Sequence, residues 1–165
     1  MYEPGKTFMN YSDYIKCDTV NGEGVRCTLL VSGCSRGCKG CFNKKTWDYR
    51  YGNLYTEEFE DKIIKDLNNP YIQGLSLLGG NPLENKNFKT VLKLCQRVKK
   101  ELPEKDIWLW CGQTLEEIKN NLIFSQILDT IDVVVDGPFI EELKDTKLKF
   151  RGSINQNVNI KGVDF

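Results

Sequence analysis

The sequence predicts an α/β protein with an open, curved, mostly parallel sheet of about five or six strands. Short apolar, β-branched segments alternate along the 165 residues with amphipathic segments of about 10 to 15 residues, which is typical of βαβ units with right-handed crossovers. A closed eight-stranded barrel takes about 250 residues. We therefore expect a partial (β/α) barrel in a single domain that covers residues 1–165.

Four short apolar segments are predicted to be strands, because each is followed within two residues by a glycine that breaks regular structure. These segments are Val25–Ser32, Gly74–Leu78, Ile107–Cys111 and Ile131–Val135. A further short strand is expected near Leu148–Phe150. Residues 1–9 are expected to form a loose leader, since they are polar and include Pro4 and Gly5. The Asn-rich residues 151–165 are expected to form an irregular tail.

Three segments have the apolar spacing of amphipathic helices. Thr56–Leu67 begins with a residue suited to the N-cap. Asn87–Glu101 has one apolar face, which includes Cys95. Thr114 opens the third helix, and Glu117 three residues later completes a capping box. The helices therefore fall between the strands, as βαβ units require.

The amino-acid composition argues against several classes of function. Lys+Arg and Asp+Glu both number 23, so no global field favours nucleic acid or an anionic membrane. No apolar run approaches the roughly 20 residues of a membrane span, and the N-terminus lacks the apolar stretch of a signal peptide. We therefore expect a cytosolic protein. In that compartment seven cysteines indicate metal or redox chemistry rather than disulfides, and the absence of histidine excludes histidine ligands and Cys–His catalysis.

Three of the cysteines form a C-x3-C-x2-C array in the loop that follows the first predicted strand. They are Cys34, Cys38 and Cys41, and glycines stand among them. Thiolates this close can hold one face of an iron–sulfur cubane, because the glycines let the backbone fold tightly around it. Three ligands for four irons leave one iron open to a substrate. Basic residues nearby are expected to ease thiol deprotonation; they are Arg36, Lys39, Lys44 and Lys45.

Two other kinds of site remain open from the residues alone. A structural zinc ion would need a fourth ligand from Cys17, Cys27 or Cys111, but no second Cys-x2-Cys pair is present. An electron-transfer cluster held by four cysteines would need a fourth ligand in the same way. Cys27 and Cys95 lie on apolar faces and are expected to be core residues.

The predicted ligand site is the edge of the sheet where the parallel strands end, because open α/β sheets bind ligands there. The cysteine array follows the first strand, Gly79-Gly80-Asn81 follows the second, and Cys111-Gly112 follows the third. Paired glycines allow a close approach of backbone to ligand. An ordinary β-turn at Gly79–Pro82 explains the same residues equally well.

The array resembles the cluster loop of the radical S-adenosylmethionine superfamily, and its surroundings resemble the activating proteins of glycyl-radical enzymes. The resemblance is carried by Asp18–Leu29, Val31–Trp47, Gly79–Pro82, Lys105–Trp110, Val135–Phe139 and Arg151–Gln156. The downstream segments resemble the subgroup that acts on anaerobic ribonucleoside-triphosphate reductase. Two positions depart from the wider superfamily pattern: Gly40 replaces an aromatic residue, and Asn81 replaces an acidic one.

The resemblance implies a radical S-adenosylmethionine fold and an oxidoreductase that needs no acid or base side chain. It implies a 4Fe–4S cluster on Cys34, Cys38 and Cys41. It also implies that S-adenosylmethionine is bound by Gly40, Cys41, Phe42, Gly79, Gly80 and Asn81. An electron from a reduced flavoprotein such as flavodoxin would cleave this cofactor to a 5′-deoxyadenosyl radical. That radical would take a hydrogen from a glycine of the partner reductase, or of another glycyl-radical enzyme of the formate-lyase type.

Overall fold

The computed structural model describes residues 8–41 and 43–165. These residues form one seven-stranded sheet in the order β3-β1-β2-β4-β5-β6-β7. The strands are β1 (Asn10–Asp18), β2 (Arg26–Val31), β3 (Asn53–Leu54), β4 (Gly74–Gly79), β5 (Asp106–Trp110), β6 (Val133–Asp136) and β7 (Asn157–Ile160). The α-helices are α1 (Glu57–Leu67), α2 (Asn85–Glu101) and α3 (Leu115–Asn120). Short 3₁₀ turns cover Lys44–Trp47, Phe124–Asp129 and Glu141–Leu143.

The middle of the sheet is parallel, as the alternation of strands and helices predicts. Strands β2, β4, β5 and β6 pair in parallel, and β1, β3 and β7 add antiparallel strands at the two sides. The α/β class, the four predicted strands and the three predicted helices are therefore confirmed. The expected strand number of five or six is too low, since the described residues form seven strands.

Neither the expected loose leader nor the expected irregular tail is fully irregular in the structure. Met9 is only 2% exposed and its carbonyl oxygen accepts a hydrogen bond from the N–H of Tyr55 at 2.8 Å, so the end of the expected loose leader is packed; residues 1–7 lie outside the described ranges. Asn157–Ile160 forms β7 within the expected irregular tail, because it pairs with β6. Leu148–Phe150 is not a strand, and Phe150 has a left-handed φ of 66°.

The helices cover one face of the sheet with a continuous apolar core. This core includes Cys27 and Cys95, both fully buried, which confirms their predicted role. Thr56 accepts the N–H of Phe59 as the N-cap of α1. Thr114 and Glu117 form the predicted capping box of α3. No helix in the described part of the chain is long and apolar enough to cross a bilayer.

The opposite face carries a buried cation where the parallel strands begin. Arg26 is fully buried, and its guanidinium donates to Ser76 Oγ at 2.7 Å, to the Leu75 carbonyl at 3.0 Å and to Asp106 Oδ1 at 2.5 Å. It also lies 5.4 Å from the ring centroid of Trp108. One side chain thus ties β2, β4 and β5 together at their amino-terminal ends, and the carboxyl ends remain free to carry loops.

We predict that Arg26→Met lowers the free energy of unfolding by about 3–5 kcal/mol, because a charged group is left without its partner. Urea denaturation of the anaerobically purified protein measures this change. Arg50→Met is the matched control, since the Arg50 side chain is 95% exposed and an exposed charge contributes about 1 kcal/mol or less. Equal losses in the two variants would contradict the role given to Arg26.

Candidate iron–sulfur site

The cysteine loop begins where β2 ends and is closed at its base by main-chain hydrogen bonds. Gly33 N donates to the Thr46 carbonyl at 2.6 Å, and Cys34 N donates to the Trp47 carbonyl at 3.2 Å. The Gly33 carbonyl accepts the N–H of Asn81 at 2.9 Å. The loop after β2 is therefore fixed both to its own far end and to the turn after β4.

The three cysteines of the array lie on one short, tightly turned segment. Their side chains are all half-buried, and the N–H of Cys41 donates to the Cys38 carbonyl at 3.2 Å. Gly37 and Gly40 have φ of 60° and 77°, a left-handed conformation that side chains with a Cβ adopt rarely. These two glycines therefore allow the tight turns that the sequence predicts for the loop.

Burial dominates the electrostatics at the first cysteine. Desolvation raises the pKa of the Cys34 thiol, and the backbone N–H of Arg36 acts in the opposite direction. The negative charges of Glu84, Cys38 and Cys41 raise that pKa further. The pKa of the free Cys34 thiol is therefore shifted in the direction opposite to the one that basic neighbours alone would produce.

The lysines of the loop are either close to carboxylates or exposed to solvent. Lys39 Nζ lies 3.8 Å from Glu141 Oε2 and 4.0 Å from Glu142 Oε1, so acidic side chains already offset its charge. Lys44 and Lys45 are exposed to solvent, where salt screens their charge.

The donor set fits a multi-iron cluster. Among residues 8–41 and 43–165, no three Cys, Asp or Glu side chains converge on the position of a single metal ion. The thiols of Cys34, Cys38 and Cys41 are nevertheless close enough to affect one another electrostatically. Each thiolate of a cubane binds a different iron, whereas a zinc site draws all its ligands around one ion.

The other cysteines considered as a fourth ligand are engaged elsewhere or lie on another strand. The Cys111 thiol is buried, with its pKa raised to about 12 by desolvation, and it donates to the Gln113 carbonyl at 3.4 Å. The Cys27 thiol donates to the Lys16 carbonyl at 3.3 Å. Cys17 is exposed on β1.

The glycine pair after β4 packs directly against the cysteine loop. Gly79 has φ of 111°, and a Cβ there would lie 2.6 Å from the backbone nitrogen and oxygen of Val31. A Cβ on Gly80 would lie 2.6 Å from the Gly33 carbonyl oxygen. The N–H of Gly80 also donates to the Val31 carbonyl at 2.8 Å. The structure therefore requires two glycines here for a reason that the sequence did not reveal: Gly79 lies against the backbone at the end of β2, and Gly80 lies against the loop that follows it.

Asn81 is 1% exposed and its amide is satisfied by protein groups. Its Nδ2 donates to Gln113 Oε1 at 3.0 Å, and its Oδ1 accepts the N–H of Leu83 at 3.2 Å. Gln113 Nε2 in turn donates to the Leu83 carbonyl at 3.0 Å. The side chain thus links the turn after β4 to the loop after β5.

Sequence analysis missed Gln113, because no motif marks it. Phe42, another residue of the expected cofactor site, lies outside the described ranges.

Glu84 is the second residue that sequence analysis missed. It is 9% exposed at the N-cap position of α2, and its carboxylate accepts the N–H of Ser35 at 2.9 Å and the Tyr49 hydroxyl at 2.8 Å. The predicted helix started three residues later, at Asn87. The sequence therefore gave no reason to place this carboxylate beside the cysteines.

The segment Arg151–Gln156 closes the same edge of the sheet. Gln156 Oε1 accepts the N–H groups of Gly152 and Ser153 at 2.9 and 3.1 Å. Asn155 Nδ2 donates to the Pro138 carbonyl at 2.8 Å, while Asn155 Oδ1 is buried and has no hydrogen-bond partner among the described residues.

This segment is connected to the cysteine loop through the turn at residues 140–141. Ser153 Oγ accepts the N–H of Ile140 at 3.2 Å. A Cβ on Gly40 would lie 2.9 Å from the carboxyl carbon of the next residue, Glu141. The resemblance segment at Arg151–Gln156 therefore borders the array, although the two are more than a hundred residues apart in the chain.

The half-buried three-cysteine loop at the carboxyl edge of the parallel sheet is the arrangement expected of an iron–sulfur protein, and comparisons with known proteins show that class. The family model described as "4Fe-4S single cluster domain" matches residues 20–159. The anaerobic ribonucleoside-triphosphate reductase-activating protein of Vibrio cholerae is 52% identical over 153 residues, which cover 92% of this chain and 97% of that protein. The protein of the same name from Escherichia coli K12 is 50% identical over 92% of this chain and 98% of its own length.

A viral relative extends the similarity. The protein of that name from Enterobacteria phage T4 is 43% identical over 150 residues, or 91% of this chain and 93% of its own length. The chain therefore belongs to the family of 4Fe–4S single cluster domain proteins that includes these activating proteins.

We predict that Gly79→Ala lowers the free energy of unfolding by about 3 kcal/mol or more, since it adds a steric clash to an unfavourable φ. Urea denaturation and iron content after anaerobic reconstitution check this, and both should fall. Gly162→Ala is the matched control, because Gly162 also has a left-handed φ of 87° but nothing lies within 4 Å of the added Cβ. The control should lose about 1 kcal/mol and keep its iron. The packing argument is wrong if both variants behave alike.

Proposed function

We propose that this chain is the activating enzyme of an anaerobic ribonucleoside-triphosphate reductase. A 4Fe–4S cluster is bound by Cys34, Cys38 and Cys41, and the co-substrate is S-adenosylmethionine. The observation that carries the proposal is the half-buried array of three thiols on one loop, while the Cys27 and Cys111 thiols donate to main-chain carbonyls elsewhere. The high identity to activating proteins over nearly their whole length supports the same function.

Held by Cys34, Cys38 and Cys41 and reduced by a flavoprotein such as flavodoxin, a 4Fe–4S cluster would supply one electron for cleavage of the sulfonium S–C5′ bond, which would give methionine and a 5′-deoxyadenosyl radical. This radical takes a hydrogen atom from the Cα of a glycine in the reductase. The products are 5′-deoxyadenosine and the glycyl radical, so atoms and electrons balance. No side chain of this protein needs to act as an acid or a base.

The protein's own residues position the reactants. Gly79, Gly80 and Asn81 form the wall beside the array, together with Gly40 and Cys41 of the loop itself; Phe42 completes the proposed contacts. The Asn81 amide forms hydrogen bonds with Gln113 and Leu83. Its proposed contribution is therefore to fix the turn beside the methionine end of S-adenosylmethionine. The carboxylate found at this position in the wider superfamily is not required for that role.

The proposed architecture is a partial (β/α) barrel of the radical S-adenosylmethionine type within a single domain. The four parallel strands and the loops at their carboxyl ends support this reading. Seven free cysteines support a reducing cytosolic setting. Equal numbers of acidic and basic residues support a protein partner rather than nucleic acid or a membrane surface.

We predict that alanine at Cys34, Cys38 or Cys41 abolishes glycyl-radical formation, since each change removes one of three cluster ligands. Electron paramagnetic resonance of a mixture with the reductase, S-adenosylmethionine and dithionite measures the radical. Cys17→Ala is the control, because Cys17 is an exposed free thiol outside the array. Full radical yield from Cys38→Ala would contradict the ligand assignment.

We also predict that the glycyl radical forms on the anaerobic ribonucleotide reductase and not on a formate-lyase-type enzyme under the same conditions. The two candidate partners are incubated separately with the wild-type protein, S-adenosylmethionine and reductant, and the radical is quantified in each. A radical on the formate-lyase-type enzyme alone would overturn the proposed partner but not the proposed chemistry.

A further inference from the structure

We propose that Glu84 is a positioning residue for the iron–sulfur centre, which it serves by holding the cysteine loop in its ligating shape and by lowering the cluster's reduction potential. This inference rests on the proposed function, because it presupposes a cluster on the array. It concerns a carboxylate outside the C-x3-C-x2-C motif and outside the Gly79–Asn81 turn.

Both oxygens of the buried Glu84 carboxylate are occupied by donors of the cysteine loop and its exit. Oε1 accepts the Ser35 N–H at 2.9 Å and the Ser35 hydroxyl at 3.0 Å. Oε2 lies 3.1 Å from the same hydroxyl and accepts the Tyr49 hydroxyl at 2.8 Å. Ser35 directly follows Cys34, and Tyr49 lies beyond the last cysteine, so one carboxylate holds both ends of the loop.

Helix α2 and the Tyr49 ring hold Glu84 and the cysteine loop in place. It stands at the N-cap position of the 17-residue helix α2, whose positive end stabilises a carboxylate. The buried Asn87 of the same helix donates to the Ser32 carbonyl at 2.9 Å, just before the loop. The Tyr49 ring closes the other side, because a Cβ on Gly33 would lie 2.2 Å from its Cδ1 atom. Helix α2 therefore fixes the start of the loop twice and its exit once.

Tyr49 remains a donor throughout the neutral range. Burial and the hydrogen bond to Glu84 raise the pKa of Tyr49 to about 12. The Tyr49 hydroxyl therefore keeps its proton and its hydrogen bond to the Glu84 carboxylate across the neutral range, and hydrogen bonds to carboxylates are stronger than those between neutral groups.

The charge on Glu84 acts on the cluster position as well as on the loop. No lysine or arginine of the described residues forms an ion pair with Glu84. The nearest cation in the same group of contacts is Lys86, whose Nζ lies 4.9 Å from the centroid of the Tyr49 ring. The carboxylate lies close to the Cys34 ligand, because Oε1 accepts the N–H of Ser35, the next residue in the chain, at 2.9 Å.

Adding an electron to a cluster next to a buried carboxylate is unfavourable, because the added negative charge is repelled by the carboxylate. Net charge and hydrogen bonds around the sulfurs set the reduction potentials of iron–sulfur clusters. Glu84 also takes the Ser35 N–H and hydroxyl for itself, so these two donors do not stabilise the reduced state. Both effects lower the potential, which strengthens the cluster as a reductant for the sulfonium.

Two changes separate the charge from the hydrogen bonds. Glu84→Gln removes the charge but keeps an amide oxygen that accepts from Ser35, so we expect a cluster with a less negative reduction potential and nearly normal iron content. Tyr49→Phe removes one hydrogen bond and keeps the charge, so its potential should move less than that of Glu84→Gln. Glu57→Gln is the matched control, because Glu57 is an exposed carboxylate in the first turn of α1; its potential should equal that of the wild type.

The loss of the whole side chain tests the positioning role. Glu84→Ala should release iron to a chelator about 10- to 100-fold more readily than the wild type, as is typical when a group that orients metal ligands is removed. Potentials are measured by redox titration monitored by electron paramagnetic resonance on protein reconstituted without S-adenosylmethionine, so that neither readout depends on activity.

The result that would overturn the inference is a Glu84→Gln potential equal to that of the wild type and of Glu57→Gln. If Glu84→Ala fails to fold, the potential of Glu84→Gln still decides the matter. A wild-type protein that takes up no iron on reconstitution would instead overturn the proposed function, so the two failures are distinguishable.

Discussion

The cysteine loop is docked onto its neighbouring strand through main-chain contacts so close that no side chain fits between them. Parallel pairing puts Val31 at the end of β2 directly opposite Gly79 at the end of β4. Because the next residues along both strands are turns, Gly33 meets Gly80 and Asn81, and a hydrogen bond of 2.9 Å joins Gly33 to Asn81. The position of the three thiols therefore depends on the register of one strand pair and on glycines at its end.

The rest of the sheet is organised to leave that edge available. Buried Arg26 joins three parallel strands at their amino-terminal ends, and the apolar core under α1 and α2 covers one face. The polar groups at the carboxyl edge are not left to solvent: Asp136 Oδ2 accepts the N–H of Leu115 at 2.7 Å, and its Oδ1 accepts the N–H of Asn157 at 2.9 Å. Loops at this edge are thus preorganised by buried side chains, which is what precise placement of a reactive cofactor needs.

The cysteine array, the parallel centre of the sheet and the helix caps were predictable because each depends on local spacing. Thr56 caps α1 as its position indicates, and the apolar run at Val25–Ser32 contains β2. Strand β1 was missed because it lies towards the side of the sheet, next to a two-residue β3, and is only half-buried, so it does not need an apolar pattern. Strand β7 was missed for the same reason, since it is an Asn-rich edge strand.

The features that refine the site were not predictable from local patterns. Glu84 contacts Ser35 across 49 residues of chain, and Gln113 meets Asn81 across 32. Such partners are selected by tertiary packing, and a single carboxylate or amide in a loop carries no periodic signal. The glycine pair was identified, but its contact with the cysteine loop emerged only from the distance that a Cβ would have to Val31 and Gly33.

The proposed function depends on three cysteines that hold a 4Fe–4S cluster with one iron free of protein ligands. Mössbauer spectroscopy of the anaerobically reconstituted protein, with and without S-adenosylmethionine, tests it most directly. We expect one iron site whose parameters differ from the other three and change when S-adenosylmethionine is added. Four equivalent sites that do not respond to S-adenosylmethionine, or stoichiometric zinc in place of iron, would contradict it.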